Sequence, residues 1–397
     1  MKILFVLDKL GLFGNPKDGG SHRNTMFVKA LTKLGHVDVC SFSEEAVASD
    51  IDDCDVVYSN QYMKKESIGN KYIYNALSLL KVLFFPSNPN SYFKTSVEKE
   101  KIVDELVNQG GYDLIACHYI DSAIICGLLK YGAKLVVDVD DNLSSVYRYL
   151  ASIKRTFFRK KKYILMANLV PLMNKRVLDN IFCSFYSNIL EPPSHTSVFL
   201  HNSVICKANV PDISTFAPNR IVFIGHLNFP PNIYGVNHFV NCVFPMIRQR
   251  VSDVELHVIG KGSKDFLDEL NQVEGVKALG FVEDIAAEYK DAKAVVLPIY
   301  HGAGTSIKFV EAMYMNRPIV SAPVGARGFD RIAKDGEHFL LANSDEEFAN
   351  KTVELLSSID KANEMADKAY ELAKANFSQD KFVEIVKTTI EEKLKQK

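Results

Sequence analysis

The segment from Tyr300 to Met313, YHGAGTSIKFVEAM, has residue types at spacings that could hold an anion. Gly302 and Gly304 loosen the chain after an apolar run, Thr305 or Ser306 can cap a helix, and Pro318 closes it. The start of a helix presents unpaired backbone N–H groups and the positive end of the helix dipole, a natural anion site. Lys308 falls in the first turn, where the dipole opposes a cation, and a bound anion such as a diphosphate removes that conflict. Glu311 lies on the same face, with Cβ atoms about 5–6 Å apart. Its carboxylate can accept hydrogen bonds from a ribose while the lysine meets the phosphates. The plainer alternative is a surface Lys–Glu pair worth about 0.2–0.5 kcal/mol.

Other candidate groups carry less. Asp138-Val139-Asp140 fits the short D-x-D pattern of some metal sites, but such a motif arises often by chance, and a polar loop without metal is the expectation. Gly260-Lys261-Gly262 lacks a third glycine and no G-x-x-x-x-G-K-[ST] occurs, so dehydrogenase and P-loop readings are weak. His118, at the end of the run LIACHY, reads on its own as a packed core histidine. No pair of carboxylates is placed as a glycosidase needs. From Arg148 to Arg176 inclusive there are nine Lys or Arg residues and no Asp or Glu, among them Arg155, Arg159, Lys160, Lys161 and Lys162. They interleave with Tyr147, Tyr149, Phe157, Phe158 and Tyr163. This is either a solvated basic helix face or a surface for anionic lipid headgroups, where each cation gains about 1 kcal/mol. Nucleic acid is a poorer partner, because no recognised binding fold accompanies the patch and the net charge is −1.

These residues sit at the ends of regularly repeated elements. Short apolar, β-branched runs occur at 2–8, 37–42, 55–60, 114–119, 134–141, 181–185 and 198–203, and again at 220–225, 254–260, 276–281, 294–299 and 318–325. Helical patterns intervene; after Ser21 as N-cap, Phe27, Ala30, Leu31 and Leu34 share one face, and others fall near 232–251, 263–273, 305–316 and 345–376. Continuous apolar strands alternating with helices predict parallel sheets covered on both faces. The 397 residues therefore predict an α/β chain of two Rossmann-like, doubly wound domains, 1–205 and 206–376, facing a cleft at the carboxyl ends of their strands. Residues 377–397 are expected to form a helix packing back on the first domain. The run Ile3–Leu7 is too short for a signal peptide's apolar region and reads as a buried strand. Seven scattered cysteines, with no C-x-x-C pair, read as reduced structural thiols of a cytoplasmic protein.

The segment at 300–325 resembles the donor site of the retaining GT-B glycosyltransferases of family four, the group 1 glycosyltransferases, in a branch with G-x-G-x-x-x-K-x-x-E-A-M. FIGHLNFPPNIYGVNHF, VIGKG, LGFVEDI and PIVSAPVGARG follow in that family's order through the second half, and GGSHR and LIACHY match more loosely in the first. The resemblance implies that Glu311 holds the donor ribose, that Gly304, Thr305 and Ser306 belong to the loop touching the diphosphate, and that Gly280, Phe281 and Val282 line the nucleobase. It implies that Gly19 and Gly20 form a loop approaching the phosphates and that His118 contacts the donor sugar near the reacting carbon. The family's first acid is replaced by Ala303, and its Arg and Lys on the first donor-domain loop by His226 and Tyr234. Lys308 and His226 are then the cations left for the leaving diphosphate, and His118 and Lys308 the catalytic candidates. The expected activity is transfer of a sugar from a nucleoside-diphosphate sugar to a glycan or lipid-linked acceptor in surface polysaccharide synthesis. The alternative is a non-catalytic nucleotide-sugar-binding subunit of the same fold. No cofactor or metal is expected, and the location implied is cytoplasmic, peripheral on the inner face of the membrane.

Overall fold

A computed structural model of the chain describes residues 1–8, 19–43, 51–59, 79–140, 143–152, 156–187, 194–203, 213, 218–302 and 305–397. The chain divides into two units, Met1–Asn202 with Gln379–Lys397, and Ser203–Ser378. In the first, strands β1 (Lys2–Leu7), β2 (His36–Ser41), β3 (Cys54–Ser59), β4 (Leu114–His118), β5 (Leu135–Val139), β6 (Cys183–Tyr186) and β7 (Ser197–Phe199) form one sheet in the order β3-β2-β1-β4-β5-β6-β7. Every pairing is parallel. Along β1, Ile3, Phe5 and Leu7 enter one apolar cluster with Phe27 and Leu31, while Leu4 and Val6 enter another with Val103 and Met173. Both faces of the strand are buried, which is why its sequence runs apolar without alternation. The Gln379–Lys395 helix lays Phe382, Val386 and Ile390 on the first of these clusters.

The second unit follows the same plan with β8 (Arg220–Ile224), β9 (Glu255–Ile259), β10 (Val276–Gly280), β11 (Ala294–Leu297), β12 (Ile319–Ser321) and β13 (Leu340–Leu341), in the order β10-β9-β8-β11-β12-β13. Along β8, Ile221 and Phe223 face one cluster, Val222 and Ile224 the other. The expectation of two doubly wound parallel α/β sheets is borne out. In each unit the strand order reverses once, between β1 and β4 and between β8 and β11, and such a reversal opens a crevice beyond the strand carboxyl ends.

Local boundaries differ from the sequence pattern for identifiable reasons. The first helix runs Gly19–Thr32, so Ser21 lies inside its first turn and is not the N-cap. The apolar stretch at 318–325 is β12 followed by a short helix, Pro323–Ala326, because Pro323 suits the first helical turn. The stretch at 345–376 is two helices, Asp345–Ser357 and Ile359–Asn376, broken at extended Ser358. The helix expected near 232–251 starts at Pro230 and carries a π turn at Phe239–Val243 before continuing as Phe244–Arg248.

Candidate active site

In the second unit the Ile307–Tyr314 helix follows β11 and starts beside the strand-order reversal. Ser306 occupies the N-cap position, but its hydroxyl makes no capping bond and is buried without a hydrogen-bond partner. Lys308 is in the first turn and half-buried. A Cβ placed on Gly225, just past the end of β8, would lie 2.2 Å from Lys308 Cε, so the lysine stem crosses a position that only glycine leaves open. Lys308 has no hydrogen-bond or ion-pair partner among the described residues, which removes the surface Lys–Glu pair as an account of this spacing. Burial pushes its ammonium below the ordinary lysine range, against the opposing charge of Glu311. Burial likewise raises Glu311, opposed by the Lys308 charge and by the Tyr289 hydroxyl, which donates to Glu311 Oε2 at 3.4 Å.

Arg317 is wholly buried and fixes the Tyr289 end of this arrangement. Its guanidinium donates to the carbonyls of Tyr289 (2.6 Å), Lys290 (2.8 Å) and Asn316 (2.6 Å). Glu311 and Lys308 are thus charges held out of water without full compensation, a state that costs stability unless a ligand completes it. Glu311→Gln is expected to raise the unliganded unfolding temperature at pH 7 by a few degrees, about 1 kcal/mol for a unit of this size. The sign follows from the raised carboxyl: its penalty is present above the folded-state value and absent below the unfolded value, so the gain should vanish near pH 4. Thermal unfolding of both proteins at the two pH values checks this.

The other donor-side candidates cluster at neighbouring strand ends. Gly280 ends β10 with φ +69°, and its carbonyl accepts from Gly260 N at 2.7 Å. Phe281 is 73 % exposed, whereas Val282 packs toward the cluster that holds Phe309 and Tyr289. His226 is exposed in the turn after β8, and its carbonyl accepts from Asn232 Nδ2 at 2.8 Å. Tyr234 joins an aromatic group with His301, its ring 4.8 Å from that imidazole. Thr305 is half-buried just before the helix, and Ala303 and Gly304 lie outside the described residues.

In the first unit, Gly19 and Gly20 open the first helix, and His118 closes β4. Sequence reasoning set His118 down without its neighbours, which form a buried polar cluster. Arg23 Nε and Nη2 each donate to Asp138 at 2.7 Å, and Nη1 donates to Asn202 Oδ1 at 2.6 Å and to the Leu200 carbonyl at 3.3 Å. Asp138 is therefore a buried β5 residue locked to a guanidinium, not part of a polar loop. Asp140 accepts from Ser187 Oγ at 2.7 Å. His118 Nδ1 bonds Asn24 Oδ1, its ring stacks on Tyr119 at 3.8 Å, and burial holds the imidazole below its ordinary value. The signal in the sequence was an arginine on the apolar side of an otherwise core-facing helix.

The basic candidates lie on the Phe157–Leu178 helix, apart from Arg155, which falls outside the described residues. Arg159, Lys160 and Lys161 are exposed, while Lys162 is half-buried and lowered by that burial. Phe157 and Phe158 are 62 % and 85 % exposed, and Lys161 Nζ sits 4.4 Å over the Phe157 ring.

Two doubly wound parallel sheets in one chain are the α/β architecture of GT-B proteins. Residues 218–358, within the second unit, match the family described as glycosyl transferases group 1. Among solved structures the chain is similar to the sucrose-phosphate synthase of Thermosynechococcus elongatus (TM-score 0.68, 15 % identity, 100 % of both chains). It is also similar to Anabaena HepE in complex with UDP-glucose (TM-score 0.60, 17 % identity, 100 % of both chains). A Klebsiella pneumoniae relative, named an uncharacterized 44.6 kDa protein in the cps region, is 24 % identical over 374 residues, covering 89 % of this chain and 90 % of the relative. The family match is confined to the second unit, and the solved structures share the fold of the whole chain.

Proposed function

We propose that this chain is a retaining glycosyltransferase that moves a sugar from a nucleoside-diphosphate sugar to a glycan or lipid-linked acceptor in surface polysaccharide synthesis. The observation that carries the reading is Lys308, a half-buried cation without a partner among the described residues, at a helix start whose Ser306 hydroxyl is also unpartnered. A diphosphate would supply a countercharge to the lysine and an acceptor to the hydroxyl, and Glu311 on the same helix face would accept from a ribose. HepE's complex with UDP-glucose supports the donor class, and the cps-region name of the Klebsiella relative supports the pathway.

In the reaction the bond from the anomeric carbon to the diphosphate oxygen breaks, and the acceptor hydroxyl attacks from the same side. A phosphate oxygen takes the hydroxyl proton. The protein's part is to position the donor and stabilise the charge growing on the diphosphate, through Lys308, the amides at the helix start and His226. His118 is assigned to the donor sugar near its reacting carbon. Ala303, where the family carries an acid, favours a second reading, a subunit that binds a nucleotide sugar without turning it over. Nucleoside diphosphate released only when an acceptor is present supports transfer; binding without release would replace it by the second reading.

The acceptor side adds a membrane surface. The exposed Phe157–Phe158 pair beside Arg159, Lys160 and Lys161 joins apolar rings to cations, the composition that docks on anionic headgroups. Among the described residues no helix is long and apolar enough to cross a membrane. Lys160→Glu with Lys161→Glu is expected to reduce co-sedimentation with phosphatidylserine-containing vesicles more than tenfold, each cation contributing about 1 kcal/mol. Sedimentation that ignores anionic lipid would discard this surface.

A further inference from the structure

The buried cluster around His118 contains more than a core needs. A buried ion pair is often no more stabilising than apolar side chains of similar volume, so stability alone gives no reason for Arg23 and Asp138 on elements that otherwise present Phe27, Leu31 and Val136. Every donor edge of Arg23 is engaged, and both Asp138 oxygens face it at 2.7 Å. The same Asp138 Oδ2 lies 3.7 Å from His118 Nε2, and Asp140 Oδ2 lies 4.0 Å from it. Yet Nε2 is buried and makes no hydrogen bond. On the other side of the ring Nδ1 faces Asn24 Oδ1, and with that oxygen as the acceptor Nδ1 carries the ring proton. In the neutral ring Nε2 then carries a lone pair. Tyr119, which stacks on this ring, is held at φ +71°, a conformation that L residues adopt only where the surroundings enforce it.

We infer that Arg23 is a positioning residue: by gripping both oxygens of Asp138 it keeps that carboxylate from His118 and leaves Nε2 free to accept a hydroxyl of the bound substrate. The inference rests on the glycosyltransferase reading for its substrate, but not for its geometry. The groups facing His118 are Arg23 and Asn24 from the first helix, Asp138 and Asp140 from β5 and beyond, and Tyr119 and Asp121 after β4. The three carboxylates favour the imidazolium; burial and the guanidinium oppose it, and the balance lies on the neutral side. A guanidinium can occupy two carboxylate oxygens at once, whereas an ammonium is a single point charge. Lysine at this position would release one oxygen to turn toward Nε2, protonate His118 and block its lone pair.

The test is histidine titration by NMR on the full chain with labelled imidazoles, together with turnover at pH 6 and pH 8. Arg23→Lys should raise the His118 midpoint into the neutral range and cut the pH 6 to pH 8 activity ratio at least tenfold. Asp138→Asn should move the midpoint the other way, since it removes an opposing charge and leaves Arg23 uncompensated. Opposite movements are not produced by loosened packing alone, and either variant by itself reads the sign if the other does not fold. An unchanged midpoint in Arg23→Lys, or a raised one in Asp138→Asn, would overturn the inference. The NMR arm reports whether or not turnover is found, so wild-type protein inactive with every nucleotide sugar defeats the donor reading and leaves the role of Arg23 decided by the midpoints.

Discussion

Lys308→Ala is expected to lower donor turnover by at least a hundredfold, on the order of 3 kcal/mol of transition-state stabilisation, while the protein stays folded. The size follows from what the lysine faces. In the proposed reaction charge grows on the leaving diphosphate as the glycosidic bond breaks, and there a partly dehydrated cation at a helix start would stabilise that charge more than it stabilises the bound ground state. The loss should therefore appear in kcat as well as in kcat/KM. Folding should not suffer, because the wild-type ammonium is a half-buried charge with no partner among the described residues, and its removal relieves that cost. Circular dichroism and thermal unfolding, with an unfolding temperature equal to or above that of the wild type, separate this outcome from collapse of the site. Lys308→Arg should restore little. The longer, planar group must cross the same space over Gly225, where the lysine stem already fills the room a Cβ would need. Wild-type kcat/KM should also fall on the alkaline side at a pH below that of an ordinary lysine, because burial favours the uncharged amine in the free protein. Full activity in Lys308→Ala would remove the lysine from the donor site.

Why Lys308 could be read from the sequence while Arg23 could not is a matter of range. Lys308, Ser306 and Glu311 are neighbours on one helix, so the spacing itself states that they share a face and an end. The strands were legible for a related reason: residues on both faces of a covered parallel strand are apolar, as Ile221 to Ile224 show, and such runs stand out in any window. Arg23 meets a carboxylate 115 positions away and Asn202 still farther along the chain, and no local pattern records those meetings. The Phe157–Leu178 helix was visible as a basic stretch, but its continuity through Pro171 is set by the fold, since local rules disfavour proline inside a helix. The π turn at Phe239–Val243 has no local signature for the same reason; tertiary packing of Phe239, Val240 and Val243 sets it. That Lys308 and Glu311 do not pair also required the fold, because it depends on how the helix is seated over β8 rather than on their spacing.

Gly260→Ala is expected to destabilise the second unit by about 3 kcal/mol or more, lowering its unfolding temperature by roughly 10 °C, and to weaken donor binding in the surviving folded protein. Gly225, Gly260 and Gly280 sit at or just beyond the ends of the adjacent strands β8, β9 and β10. Gly225 N donates to the Ile259 carbonyl at 2.8 Å and Gly260 N to the Gly280 carbonyl at 2.7 Å, so these ends stay laced together beyond the sheet. Gly260 adopts φ +140°, and a Cβ there would lie 1.9 Å from the Gly225 carbonyl oxygen. That obstacle is backbone, which cannot rotate aside as a side chain would, so alanine must both accept a strained φ and push β8 from β9. The displacement falls on Gly225, and Gly225 is the floor under the Lys308 stem. Stability and donor binding should therefore fail together in Gly260→Ala, in contrast to Lys308→Ala and Glu311→Gln, where they move apart. Gly336→Ala supplies the control: its φ is +79° but a Cβ there meets nothing within 4 Å, so only the backbone cost of about 1–3 kcal/mol applies and donor binding should persist. Thermal unfolding and donor titration of the two glycine variants side by side measure the difference. Equal effects on donor binding would show that the strand ends do not support the lysine, and that its placement comes from the Ile307–Tyr314 helix alone.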